Sequence, residues 1–287
     1  MAGIFGLFDY NKEGPGISKD APKKKTFIVF FETFFRNFWK FTMINLVYWI
    51  ISIPFFTKGM ANVGITHIAR NTARDKHSFG FSDFFETIKK NFKQSLIAGI
   101  INTILYALLI FDVVFFYNVK GIYGVIGTGI ALAMLVVFTL INYYLWTLII
   151  TFDYTLKQAY TNSFKLAFIN FKNSFLILLV NILLVAISIG FLFITGSAWK
   201  YILTFELFIA AFAYPAFNAL LIQYCIFPCI KKYIIDPYYA EHPDADIEKR
   251  QSLGLEIEIQ DEENEEEVLF DDELIEVEED NGVIFDD

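Results

Sequence analysis

Three asparagines stand inside apolar runs at matching distances from a Phe-containing, basic approach: Asn45, Asn102 and Asn181. An amide in hydrocarbon must find a hydrogen-bond partner or water, so these side chains are expected to face other helices rather than lipid. Two chemistries fit that placement: bonds between helices that set their packing, or the lining of a cavity for a polar solute. Asp112 and Glu206 lie toward the outer ends of their runs, where a carboxylate can reach the interface or line a wet vestibule. Pro215 removes a backbone donor within the last run, where Tyr214, Asn218 and Gln223 add polarity; this suits a structural kink or a gate around a cavity. Pro54, ahead of Lys58 and Gly64, could open a half-helix whose N-terminus faces an anion.

Catalytic chemistry has no comparable frame. His67, His77 and His242 do not share a metal-ligand spacing, and there is no H-E-x-x-H, G-x-S-x-G or phosphate-cradling glycine loop. No catalytic residue, metal ligand or cofactor is therefore assigned, and the chain is expected not to be an enzyme. Cys225 and Cys229, at i and i+4, read as packing or lipid-facing thiols, with acylation or redox work as the alternative.

The elements that must position these residues follow from composition. The chain is 55% hydrophobic and 19% charged, with a mean hydropathy of +0.47, more apolar and less charged than an ordinary soluble domain. Its apolar residues gather into runs of bilayer length, about 20 residues each at ~1.5 Å rise. The expected fold is all-α: a polytopic membrane bundle with spans at about 39–56, 60–74, 96–117, 124–152, 175–196 and 201–230. Residues 60–74 are the difficult member, because Asn62, Thr66, His67 and Arg70 interrupt a segment too short for a comfortable lipid-facing crossing, so shelter by protein is expected.

Charge divides the chain and orients it. The tail after about Asp236 carries 22 acidic residues against Lys249 and Arg250, leaving 21 basic and 10 acidic residues before it. If residues 60–74 cross, Lys58, Lys120 and Lys200 lie outside and the other basic residues before the tail lie inside, which places both termini in the cytoplasm. The expected division is a cytoplasmic segment 1–29, a membrane domain 30–235 and an acidic cytoplasmic tail 236–287. No signal peptide is expected at the N-terminus, because Asp9, Lys12 and Glu13 follow its short apolar start. The tail alternates acid with apolar residues and reads either as a disordered solubilising segment or as one that folds on a basic protein partner.

A gapless threefold pattern runs through the membrane domain. Phe34-Phe35-Arg36-Asn37, Asn91-Phe92-Lys93-Gln94 and Asn170-Phe171-Lys172-Asn173 each precede Asn45, Asn102 or Asn181 by the same spacing, with offsets of 57 and 79 between copies. Each unit is an amphipathic elbow followed by a helical hairpin, the elbow aromatics entering the headgroup boundary while Lys or Arg meets anionic lipid.

The run Phe8-Asp9-Tyr10-Asn11-Lys12-Glu13-Gly14-Pro15-Gly16-Ile17, the triplet Lys23-Lys24-Lys25, the span end Ser52-Ile53-Pro54 and Asn91-Phe92-Lys93-Gln94 together resemble the YesL-like family of bacterial membrane proteins, over roughly residues 5–235. The resemblance implies a plasma-membrane setting in mainly Gram-positive bacteria, often near genes for carbohydrate uptake and two-component sensing. It supplies no catalytic residues, and the long acidic tail departs from the family's usual compact end. The expected function is that of a non-enzymatic accessory or regulatory component, whose partners are anionic lipid and a transporter or sensor protein, with no nucleic acid. A small-solute transporter or channel using the Asn layer is the alternative.

Overall fold

A computed structural model describes residues 26–76, 78–194 and 199–242. Residues 1–25 of the expected N-terminal segment and residues 243–287 of the acidic tail lie outside the described residues. Every regular element among the described residues is helical: α1 (Thr26–Arg36), α2 (Phe38–Ser52), α3 (Lys58–Ala73), α4 (Phe81–Lys90), α5 (Phe92–Asn118), α6 (Ile122–Thr151), α7 (Leu156–Ile169), α8 (Phe171–Ile194), α9 (Trp199–Phe212), α10 (Tyr214–Ile230) and α11 (Asp236–Glu241).

Three of these are long and apolar enough to cross a membrane: α5, α6 and the Phe171–Gly190 part of α8. Their outward faces carry large apolar side chains such as Ile104, Phe111, Ile126 and Leu183, each more than half exposed, a surface that water would penalise and hydrocarbon would not. The expected spans at 39–56 and 60–74 correspond to helices of only 15 and 16 residues, about 22–24 Å of rise against a hydrocarbon core of ~30 Å. The expected continuous run 201–230 divides at Ala213, which is the N-cap of α10 (φ −124°, ψ −40°), so Pro215 sits in the first turn of a new helix rather than kinking an unbroken one. Proline fits there because its missing N–H belongs to the first turn, which has no intrahelical acceptor.

Short helices α1, α4 and α7 each lead into a longer helix across one asparagine: Asn37, Asn91 and Asn170. All three adopt nearly the same non-helical backbone, with φ/ψ of −104°/16°, −101°/20° and −106°/36°. Asparagine tolerates this bridge region, and at two of the breaks its amide adds a second donor to a carbonyl that its own backbone N–H also bonds: Asn37 Nδ2 donates to the Thr33 carbonyl at 2.9 Å and Asn91 Nδ2 to the Thr87 carbonyl at 3.2 Å. The breaks at Asn91 and Asn170 stand 79 residues apart, the spacing of the expected pattern, whereas the break at Asn37 lies three residues after Phe34, the position that pattern aligns with Asn91.

Helix α3 occupies the centre. From Gly59 to Thr72 every residue except Asn62 is buried, so this polar, low-hydropathy segment is sheltered by protein. Two glycines allow its neighbours to close on it. A Cβ on Gly59 would lie 2.1 Å from the Ser95 carbonyl oxygen and 2.7 Å from the Gly99 Cα, so α3 crosses α5 backbone to backbone; Phe84 of α4 fills the space over Gly64, where a Cβ would meet its ring at 2.7 Å. The helix ends in a Schellman motif, with Asp75 N–H on the Thr72 carbonyl (3.2 Å), Lys76 N–H on the Asn71 carbonyl (2.9 Å) and Asp75 at φ 52°.

The contacts also fix relative heights. Arg36 pairs with Asp75 at 2.5 Å, Lys40 bonds Ser78, and Gln94 Nε2 donates to the Tyr154 carbonyl at 2.5 Å, which gathers the breaks and the 74–80 and 152–155 connections at one end of the bundle, the elbow end. The α2–α3 turn, in contrast, meets α5 at Thr103, whose Oγ1 reaches the Phe55 carbonyl at 3.4 Å. Thr103 lies 12 residues after Asn91, about 18 Å along α5. Helix α5 runs on to Asn118, roughly another 22 Å, so the first hairpin reaches only part of the height of the second.

Candidate functional site

Each of the three asparagines is bonded across to another helix, and none is bonded to another of the three. Asn45, fully buried, donates from Nδ2 to the Phe212 carbonyl at 2.8 Å and accepts at Oδ1 from the Ala216 N–H at 2.9 Å. It therefore serves the last turn of α9 and the first turn of α10 together, helped by Trp49, whose Nε1 donates to the Ala211 carbonyl at 3.1 Å. Asn102 donates to Asn142 Oδ1 at 2.7 Å and accepts from the Tyr160 hydroxyl at 2.9 Å, linking α5, α6 and α7. Asn181 donates to Asn218 Oδ1 at 3.0 Å and accepts from the Tyr214 hydroxyl at 2.6 Å, linking α8 to α10. Counted from their breaks, the three stand 8, 11 and 11 residues along their helices, a height of about 12–17 Å.

A second polar layer lies nearer the elbow end, between α3, α6 and α10. Arg70, 4% exposed, donates from Nη1 to the Ile150 carbonyl at 3.2 Å and to Thr151 Oγ1 at 3.1 Å. Its guanidinium thus meets the negative C-terminal end of α6. Nη2 lies 3.3 Å from His67 Nδ1, which accepts because arginine can only donate. Asn71 joins the two, its Oδ1 accepting from Arg70 Nε at 3.4 Å and its Nδ2 lying 3.0 Å from His67 Nε2. One turn earlier on α6, Thr147 Oγ1 accepts from Gln223 Nε2 at 2.7 Å. One turn after Gln223 on α10, the Phe227 ring carries the Arg74 guanidinium, its Cζ 3.8 Å from the centroid.

Sequence patterning noted His67, Arg70 and Gln223 singly and did not join them into one layer. Its signal was nonetheless present: His67, Arg70, Asn71 and Arg74 recur at helical spacing inside a segment too polar for lipid. What patterning could not supply was the partner set, since Thr147, Thr151 and Gln223 come from helices about 80 and 150 residues away.

The other expected positions disperse. Asp112 is half-buried on α5 and has no ion-pair partner among the described residues. Glu206 belongs to α9, and its side chain lies outside the described residues. Pro54 precedes a short 3-10 turn, Phe55–Thr57, as an exposed extended residue (φ −76°, ψ 116°). Cys225 and Cys229 are free thiols on α10, and the Cys225 carbonyl accepts from Asn170 Nδ2 at 3.4 Å. Among the described residues no group of His, Cys, Asp and Glu is arranged to hold a metal ion.

Residues 41–113, from α2 through most of α5, match the family described as "Protein of unknown function, DUF624". The matched segment contains Asn45, the Gly59–Gly99 crossing, Arg70, Arg74 and Asn102. No curated protein and no solved structure matches the chain.

Proposed function

We propose that the chain is a non-enzymatic accessory protein of the bacterial plasma membrane, a helical platform that presents a basic cytoplasmic face to a transport or signalling partner. The observation that carries this reading is the commitment of the Asn layer to the fold. Asn45, Asn102 and Asn181 each have a donor and an acceptor engaged by protein groups. Amides that close helix breaks and link helices act as packing bonds, and a solute pathway would need polar groups turned to its lumen.

In this reading the units beginning at α1, α4 and α7 are three elbow-plus-hairpin copies. Exposed Phe35, Trp39, Phe85, Phe92, Phe164 and Phe171 enter the headgroup region, beside Arg36, Lys89, Lys93, Lys165 and Lys172 facing anionic lipid. The concentration of basic residues at the elbow end orients that end, and both termini, toward the cytoplasm. The first hairpin is a shorter insertion beside the full crossings. The acidic tail is the segment offered to a basic protein surface. The YesL-like resemblance is compatible with the family match, and a carbohydrate-uptake or sensing partner rests on that resemblance alone.

Reconstitution in liposomes tests the reading. Asn102→Leu and Asn181→Leu are expected to lower thermal stability in detergent while the wild-type protein shows no saturable solute flux. Saturable flux that either substitution abolishes, in protein that still folds, would establish the transporter alternative instead.

A further inference from the structure

We propose that residues 261–280 dock on this chain's own lysine face at the elbow end, formed by Lys157, Lys165, Lys172, Lys231 and Lys232, and cover it until a partner displaces them. The displacing partner follows from the accessory reading proposed above; the contact itself follows from where the lysines and the chain's exit lie. Ile235 and Tyr239, near the end of the described residues, share one buried cluster with Cys229 and Ile230 of α10, Leu166 and Ala167 of α7, Ile177 of α8 and Phe152 of the 152–155 connection. The last helix, α11, is thereby held at the elbow end against the elements that carry the lysines. Lys165 immediately precedes Leu166, Lys231 and Lys232 immediately follow Ile230, and Lys157 and Lys172 stand in the first turns of α7 and α8. Lys231 is half-buried and the other four are exposed. None of the five has an ion-pair partner among the described residues. Asp153, Asp236 and Glu241, the carboxylates on the adjoining segments, are exposed and equally unpaired, so five cations against three anions leave this face basic.

Charge and tether identify the occupant. His242, whose ring stacks on Tyr238 at 4.6 Å, is the last described residue, and the sequence continues for 45 residues beyond it. The first acids of that stretch, Asp244, Asp246 and Glu248, are offset by Lys249 and Arg250, whereas residues 261–280 hold 13 carboxylates and no Lys or Arg. Asp261 stands 19 residues after His242, a reach of up to about 65 Å, several times the ~8–10 Å between packed helices. A single exposed ion pair is weak and screened by salt. A run of carboxylates on a tether acts at an effective concentration of roughly millimolar, an advantage that no free anion of the same charge has at this surface.

The test uses the full chain in a non-ionic detergent. A water-soluble carbodiimide joins a lysine amine to a carboxylate in contact with it, and mass spectrometry of the monomer reads which pairs form. Links from residues 261–280 to Lys165, Lys172 and Lys232 are expected roughly fivefold above those to Lys58 and Lys120, which lie away from the elbow end. They should fall by a similar factor in ~1 M salt, where charges are screened beyond about 3 Å. Lys165→Glu combined with Lys172→Glu should weaken the links to Lys232. A second variant leaves the bundle untouched: with the 13 carboxylates replaced by their amides, a labelled peptide of residues 261–280 added in trans should bind roughly tenfold more tightly than it binds the wild type, because its site is vacant. The proposal is overturned if Lys58 and Lys120 are linked as often as the elbow lysines, or if the peptide binds wild type and amide variant equally. Links found only between isotopically heavy and light chains in a mixture would make a second copy the occupant and overturn it too. Solute flux in liposomes, which would refute the accessory reading, moves none of these readouts.

Discussion

Asn45 on α2 bonds the Ala216 N–H of α10 at 2.9 Å, across 171 residues of sequence, while its other amide end holds the Phe212 carbonyl of α9. One side chain therefore satisfies both faces of the break at Ala213. The fold can tolerate Pro215 at the start of α10 partly because the neighbouring helix supplies these bonds.

Asn45→Leu should leave a carbonyl and an N–H buried without partners, at ~1–3 kcal/mol each. The expected result is a stability loss of about 2–6 kcal/mol in thermal unfolding of the purified protein. A melting temperature equal to wild type would mean that the break is satisfied by something other than Asn45.

The α3–α5 crossing makes a paired prediction about glycines. Gly59→Ala would place a Cβ 2.1 Å from the Ser95 backbone oxygen, so α3 and α5 must separate and folded yield should fall sharply. Gly129→Ala on α6 meets nothing within 4 Å, and in a helix interior it should leave stability unchanged or raise it by about 0.5–1 kcal/mol. Fluorescence-detected size exclusion of both variants reads the difference. Equal behaviour would show that the two helices are not in backbone contact.

Arg70 should resist conservative replacement. Its fork reaches the Ile150 carbonyl, Thr151 and His67 together, and a lysine ammonium cannot reproduce that geometry. Arg70→Lys is expected to lose about 2 kcal/mol or more, given ~1.5–3 kcal/mol for a hydrogen bond to a charged group. Chemical or thermal denaturation would measure it. A neutral outcome would reduce Arg70 to a surface-like charge.

Depth separates the two turns opposite the elbows. The α2–α3 turn lies against Thr103, whereas Lys120 follows the end of α5. In a chain with Cys225 and Cys229 replaced by Ala, an impermeant thiol reagent applied to oriented membranes should label Lys120→Cys rapidly from one side. Lys157→Cys should react from the other side. Lys58→Cys should react far more slowly than Lys120→Cys, because its turn stops about 18 Å from the elbow level. Equal rates at Lys58 and Lys120 would place both turns in the same aqueous phase and refute the short hairpin.

The sequence by itself determined the membrane class, the helical content and the alternation of short basic-aromatic helices with long apolar ones. These are properties of composition and period, which each segment carries locally. It also marked residues 60–74 as needing shelter, because their polarity cannot face lipid. The tertiary structure decided which groups meet. It brought Gln223 to Thr147, Arg70 to Thr151 and Asn45 to Ala216, and it placed the first helix break at Asn37. A buried polar group takes whatever partner the packed chain delivers within hydrogen-bond reach, and no local pattern records that partner when it lies on another helix.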